Sequence, residues 1–213
     1  WTGYSVVNPT VQSTKSAGPM AAAWAVLHFI GDDGYLDMAR TMLDGTKRLI
    51  AGIEKIPALR MLGEPHMNLF AFASDVVSVF HVADEMRERG WYVQPQLKFG
   101  PSPENIHICV NPNCVQWVDD LLRDLAECVE KAKTMKSGEL AASVAEMFGS
   151  MDPSALTPET FQQMLGMAGI QGSGLPTRMA EINEIMNALP PALRSRLLNE
   201  YFNELYHYRT PGA

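Results

Sequence analysis

Hydrophobic positions change their period several times along the 213 residues, and each change marks an element. From Trp1 to Lys15 no period is sustained. Thr2-Gly3, Asn8-Pro9-Thr10 and the polar run Gln12-Ser13-Thr14-Lys15-Ser16 are turn-rich, so this stretch is expected to be extended and to lie on a larger body. At Gly18-Pro19 the pattern turns helical, with proline suited to a first turn whose N–H would be unpaired anyway. Met20 to Ile30 is apolar almost all round, which predicts a buried helix stopped by Gly31. Asp32-Asp33 is then expected to cap a long amphipathic helix ending near Ile53. Its apolar positions Leu36, Ala39, Met42, Leu43, Ile50 and Ile53 recur at helical spacing.

From Pro57 the period shortens. Leu59–Leu62 and Asn68–Ser74 read as strands around a Gly63-Glu64-Pro65 turn, and Val79–Arg89 returns to helical spacing through Val82, Ala83 and Met86. Gly90 ends that helix; Trp91–Leu97 and Asn105–Val110 read as extended. Val115–Lys133 reads as a helix with Val118, Leu121, Leu122, Leu125, Cys128 and Val129 on one face. Short connections favour antiparallel strands with both helices on one side, a two-layer α/β domain. After Lys133 the pattern is helical only, over 137–148, 158–167, 178–189 and 191–208, punctuated by Gly and Pro. In the last of these, Leu193, Leu197, Leu198, Tyr201, Leu205 and Tyr206 are expected to form one apolar stripe. The organisation expected is therefore 1–56 as the end of a large domain with a connecting helix, 57–133 as a small α/β domain, and 134–213 as a helical extension.

Composition narrows the classes. A hydrophobic share of 46% with 19% charged residues supports a folded core, and no apolar run approaches the roughly 20 residues of a membrane span. A net charge of −7 argues against nucleic acid as the main partner, because phosphate binding needs a basic face. Cys109, Cys114 and Cys128 cannot all pair and lack paired CxxC spacing, which fits a reducing cytoplasm. The chain opens at Trp1 without an initiator Met or a leader-like segment, and is expected to begin inside a longer polypeptide.

Candidate chemistry is sparse. The loop Ser13-Thr14-Lys15-Ser16-Ala17-Gly18-Pro19 offers hydroxyls, a lysine and free N–H groups at a helix start, which suits an anion; equally, Ser16 or Thr14 caps the helix. It lacks the glycine spacing of a Walker A loop. His28, His66, His81, His107 and His207 form no HxxxH pair, and His107 among apolar neighbours reads as a hydrogen-bonded core residue. Trp91 and Tyr92 read as core-packing aromatics.

The order of segments resembles one family. Pyridoxal-phosphate-dependent group II decarboxylases, in particular their sphingosine-1-phosphate lyase branch, carry Trp-x-Gly-Gly-x-Tyr-x-x-Pro-Thr-x-x-Gly-Ser-Arg; the run from Trp1 to Lys15 is similar to a shortened version of it. The Ala-rich helix with Trp24, the Asp33-Gly34-Tyr35 helix start, the segment Gly90 to Gln96 and the strand Asn105-Ile106-His107-Ile108-Cys109-Val110 follow in the family's order, over about residues 1–133. The resemblance implies the C-terminal part of a fold-type I enzyme: an α/β structure, a small two-layer domain with an antiparallel sheet, and extra C-terminal helices. It implies pyridoxal 5'-phosphate as cofactor, which takes up carbanion electrons as a Cα bond breaks through a Schiff base. The activity implied is a lyase acting on a small amino acid or amino alcohol, by decarboxylation or carbon–carbon cleavage, in a cytoplasmic homodimer with a shared active site. An aminotransferase of the same fold type, or a non-catalytic dimerisation or interaction module, are the alternatives. By the same resemblance the Schiff-base lysine precedes the Trp-x-Gly motif, so no catalytic residue is assigned to this chain. Thr14 matches the motif's Ser near the cofactor phosphate of the neighbouring subunit, with Ser13 beside it as a second cofactor-binding position. Ser13 replaces a Gly, and Lys15 replaces an Arg whose bidentate geometry it cannot reproduce. No metal site is expected.

Overall fold

The computed structural model describes residues 15–152 and 177–206, together with Ala155, Thr157, Thr160, Gln163 and Gly166 between them. The chain divides into two units, the first ending at Thr41 and the second beginning at Met42. Helix α1, Ala17–Ile53, runs from one to the other.

In the first unit α1 starts where Ser16 caps it, its Oγ accepting the Gly18 N–H at 3.3 Å. Gly31 breaks the helix at φ 64 and ψ 175, a backbone conformation that favours glycine. The stop expected there is therefore a kink between two helical segments. The expected burial of the first segment is not observed. Met20, Trp24, Val26, Leu27 and Phe29 are all exposed, Phe29 at 91%. A helix that is apolar on every side needs cover on every side, and the described residues leave this one open.

The second unit is built on a four-stranded antiparallel sheet in the order β1-β2-β4-β3. Its strands are β1 Arg60–Leu62, β2 Leu69–Ala73, β3 Gln94–Gln96 and β4 Asn105–Cys109. Each falls within a segment read as extended from the sequence. Met61 pairs with Phe72, Phe72 with Ile106, and Ile106 with Pro95, so one row crosses the whole sheet. Because side chains alternate between faces, Phe70, Phe72, Ile106 and Ile108 share one face. They pack into a single core with Val79, Val82 and Met86 of α2 (Val79–Glu88) and Val118, Leu125 and Val129 of α3 (Val118–Ala132). The helix expected from Val115 starts instead as a 3-10 segment over Pro112–Trp117.

The end of α1 closes this core with Leu49 and Ile53. Two glycines permit the approach. A Cβ on Gly52 would lie 2.3 Å from Leu122 Cδ1, and one on Gly45 2.7 Å from Val115 Cγ2. No side chain larger than hydrogen fits at either position without displacement of its neighbour.

Beyond the sheet, α4 (Glu139–Phe148), α5 (Ala180–Ala188) and α6 (Pro191–Tyr206) build a second, smaller core from Val144, Phe148, Ile185, Leu189, Leu193 and Leu197. The single stripe expected on α6 divides. Leu193 and Leu197 are buried and Tyr201 half-buried, whereas Leu198 and Tyr206 are exposed on another side; the side chain of Leu205 lies outside the described residues. Six apolar positions spread over 14 residues cover more arc than one neighbour can bury. The helix expected over 158–167 falls outside the described residues, apart from three single positions.

Candidate functional site

The two residues assigned by motif to the cofactor, Ser13 and Thr14, lie outside the described residues, as does the segment before them that was expected to be extended. What is described of that loop is its junction with α1. There Ser16 is engaged as the cap, and Lys15 is exposed.

The histidines separate by environment. His28 is satisfied locally: its Nδ1 lies 2.8 Å from the Trp24 carbonyl and its ring is 4.2 Å from the Trp24 ring. His66 is exposed and His207 lies outside the described residues. His107 is not the core residue expected. It pairs with Ala71 and Gln94 on the sheet face opposite Ile106, and is half-buried. Strand alternation, which places Ile106 and Ile108 in the core, turns His107 and Cys109 away from it. Trp91 packs against the core as expected and donates its indole N–H to Asp124 at 2.7 Å. That hydrogen bond, with Arg123 and Arg89 nearby, holds the Asp124 carboxyl below the usual range despite partial burial. Tyr92 is 77% exposed, a correction to its expected packing role.

Among the described residues, a polar cluster joins the sheet domain to the C-terminal helices. On α2, His81, Asp84 and Glu85 are buried alongside Val79, Phe80, Val82, Ala83 and Met86. Asp84 accepts the N–H groups of Met179 at 3.0 Å and Ala180 at 2.9 Å, so a residue of α2 caps the start of α5. Arg178 binds Glu85 at 2.8 Å and also contacts Glu88, while Lys131 of α3 reaches Glu85 from the other side. Burial pushes the Glu85 carboxyl up, but the hydrogen bonds from Lys131 and Arg178 outweigh it and hold the group below its ordinary value.

Glu184 of α5 repeats the arrangement one step further along. It accepts the Ser137 hydroxyl at 2.7 Å and the Gly138 N–H at 2.9 Å, capping α4. At the far end of α5, buried Arg194 donates to the carbonyls of Asn187 and Leu189, each at 3.3 Å, and to that of Lys98 at 3.0 Å. A cation at these helix-terminal carbonyls complements the helix dipole. Burial nonetheless pulls the guanidinium downward. Sequence reading missed this seam. One signal was present: His81, Asp84, Glu85 and Glu88 recur at helical spacing, a polar stripe beside the apolar Val79, Val82, Ala83 and Met86.

Several comparisons bear on identity. Residues 141–204 match the family described as "Pyridoxal-dependent enzyme, C-terminal putative HTH domain". The sphingosine-1-phosphate lyase of Arabidopsis thaliana is 34% identical over 150 residues, covering 70% of this chain and 27% of that protein. The structure of a sphingosine-1-phosphate lyase from Burkholderia pseudomallei superposes with a TM-score of 0.54 at 32% identity, covering 74% of this chain and 34% of that one. The chain is homologous to the C-terminal part of pyridoxal-dependent lyases. A glutamate decarboxylase from Lactobacillus brevis, 15% identical with a TM-score of 0.53 over 60% of this chain and 31% of its own, shares the fold. The two-layer antiparallel architecture expected from the sequence is thus that of fold-type I enzymes. The chain spans about a quarter of the length of the plant relative.

The described residues do not include the sheltered amine that would bind the cofactor covalently. Its aldehyde requires a lysine amine sheltered in a pocket, and all seven lysines of the chain are exposed. No group of three or more His, Cys, Asp or Glu able to hold a metal ion occurs among the described residues. No described helix is long and apolar enough to cross a membrane. The helix-turn-helix wording in the family's description is not matched here by a basic surface. Residues 141–204 carry three arginines, no lysine and seven carboxylates. Arg178 and Arg196 make ion pairs, and Arg194 is buried.

Proposed function

We propose that this chain is the C-terminal portion of a pyridoxal-phosphate-dependent lyase that decarboxylates, or cleaves a carbon–carbon bond of, an amino acid or amino alcohol. The observation that carries the reading is 34% identity over 150 residues to a sphingosine-1-phosphate lyase, with the fold shared by a second lyase of that name. The protein works as a cytoplasmic homodimer in this reading. Within it, residues 1–56 end the large domain, 57–133 form the small domain and 134–213 the helical extension. Thr14 contacts the cofactor phosphate through its hydroxyl, and Ser13 supplies a neighbouring contact. The chain's described contribution is structural. The sheet core and the polar seam hold the helical extension in place.

The substrate separates two forms of the reading. Lys15 and Ser13 replace the arginine and glycine of the lyase-branch motif, a change that weakens bidentate recognition of a substrate phosphate. This favours an unphosphorylated amino acid. The complete polypeptide, incubated with the cofactor and then with amino acids or a phosphorylated amino alcohol, is expected to release carbon dioxide from the former; aldehyde release from the latter would assign the carbon–carbon lyase instead. Release of neither would remove the lyase reading. A non-catalytic interaction module remains the second reading because of the exposed apolar segment Met20–Phe29, and that negative result would favour it.

A further inference from the structure

The second unit contains two apolar cores that share almost no side chains. Among the described residues, Ala180 is the one member of the helical extension in the sheet core, and the core of α4, α5 and α6 takes none from the sheet domain. What crosses between them is polar and gathers at the two ends of α5. At its start, Asp84 of α2 accepts the Met179 and Ala180 N–H groups, and Arg178 binds Glu85. At its end, Asn187 Oδ1 accepts the Lys98 N–H at 2.7 Å, and Asn187 Nδ2 donates to Glu104 at 3.2 Å. Arg194 of α6 donates to the Lys98 carbonyl at 3.0 Å.

Lys98 lies just beyond the edge strand β3, and both of its main-chain groups are satisfied by side chains of the extension rather than by another strand. The turn that follows closes on itself through two 3.0 Å hydrogen bonds between Phe99 and Ser102, with Gly100 at φ 54. Phe99 is left 79% exposed at this tip.

We propose that α5 is a strap: its polar ends tie the β3–β4 hairpin to α2, and the helical extension opens from the sheet domain as one body, releasing the hairpin when it does. The proposal is independent of the reaction catalysed. A polar seam between separate cores has the character of an interface between domains, where relative motion is the default. Few shared apolar contacts also mark a part that opens ahead of the core beside it. The nine residues of α5 span about 13 Å as a rigid element, so its two ends move together. Ile185 and Leu189 are buried in the second core, which makes the strap move with α4 and α6. Arg194 also binds the Asn187 and Leu189 carbonyls, keeping the two helices that hold Lys98 in one arrangement.

Hydrogen exchange of the complete protein tests the strap by disturbing one end and reading the other. Asp84→Asn turns one of the two acceptors facing Met179 and Ala180 into a donor. The Lys98 amide and the amides late in α5 are then expected to exchange about tenfold faster, the size of one hydrogen bond to a charged group. Amides of β2 and β4 are expected to keep the wild-type rate. An unchanged Lys98 amide, which would mean that α5 only frays at its start, overturns the strap. Equal quickening in β2 and β4, which would mean that both cores open together, overturns it too. Asn187→Ala disturbs the other end and is expected to quicken the Met179 and Ala180 amides; no change at those two amides contradicts the coupling. If Asp84→Asn does not fold, Arg178→Gln, at a side chain 43% exposed, takes its place with the same expected and contrary results.

Discussion

Two helical stretches of this chain are rich in apolar residues and meet opposite fates. In α3 the apolar residues occupy one face, and Val118, Leu125, Cys128 and Val129 are almost wholly buried. In the first segment of α1 they run around the helix, and Trp24, Leu27 and Phe29 stay exposed. The difference is one of geometry rather than hydrophobicity. A one-sided stripe is covered by one neighbouring layer, here the sheet and α2, whereas an all-round apolar helix needs cover from several directions. Stability should therefore reside in the first kind of contact.

The sharpest test removes a ring from the covered region. Phe72→Ala, at a site 1% exposed, is expected to destabilise the second unit by about 3–5 kcal/mol in denaturant unfolding, combining lost transfer energy with a cavity. An effect near zero would mean that the sheet core is not the stabilising centre. Next comes close packing between α1 and α3. Gly52→Ala sets a methyl against Leu122 and is expected to cost roughly 1–3 kcal/mol. Leu122→Ala should relieve most of that cost in the double variant, and strict additivity would contradict the contact.

Acid tests the polar seam. Glu85 has its carboxyl held below its ordinary 4.5 by Lys131 and Arg178. Its contribution is present above the unfolded value and is lost as the pH falls below about 4.5 through the lowered folded value. Docking of the C-terminal helices, followed by limited proteolysis, should weaken over that window, and Glu85→Gln should flatten the dependence. The smallest effect belongs to the open helix. Phe29→Ser, at a side chain 91% exposed, is expected to change the stability of the 213-residue chain by less than about 0.5 kcal/mol. A loss of several kcal/mol would place Phe29 in a packed environment and erase the contrast with α3.

Much of this architecture was legible in the residues. Gly31 marked the break in α1, Ile53 its end, and the four short extended segments became the four strands. These features are local: a glycine conformation, a helical period, an alternation of two. What stayed hidden depends on partners far along the chain. Asp84 caps a helix that begins about 95 residues later, and Glu184 caps one that begins about 46 residues earlier; neither pairing leaves a local signature. The apolar neighbours of His107 suggest the core, but strand parity decides its face. Its apolar neighbours share the core face, and for that reason it does not. Thr14 and Ser13 were legible only as a motif and rest on it still.

The central claim is that this sequence belongs to a polypeptide that holds pyridoxal phosphate as an imine. The direct measurement is the mass of the complete polypeptide after incubation with the cofactor and reduction with borohydride. The account predicts one covalently retained cofactor per polypeptide, attached to a lysine outside the seven exposed lysines of this chain. A polypeptide that retains none, or that carries the cofactor on one of those seven, would contradict it.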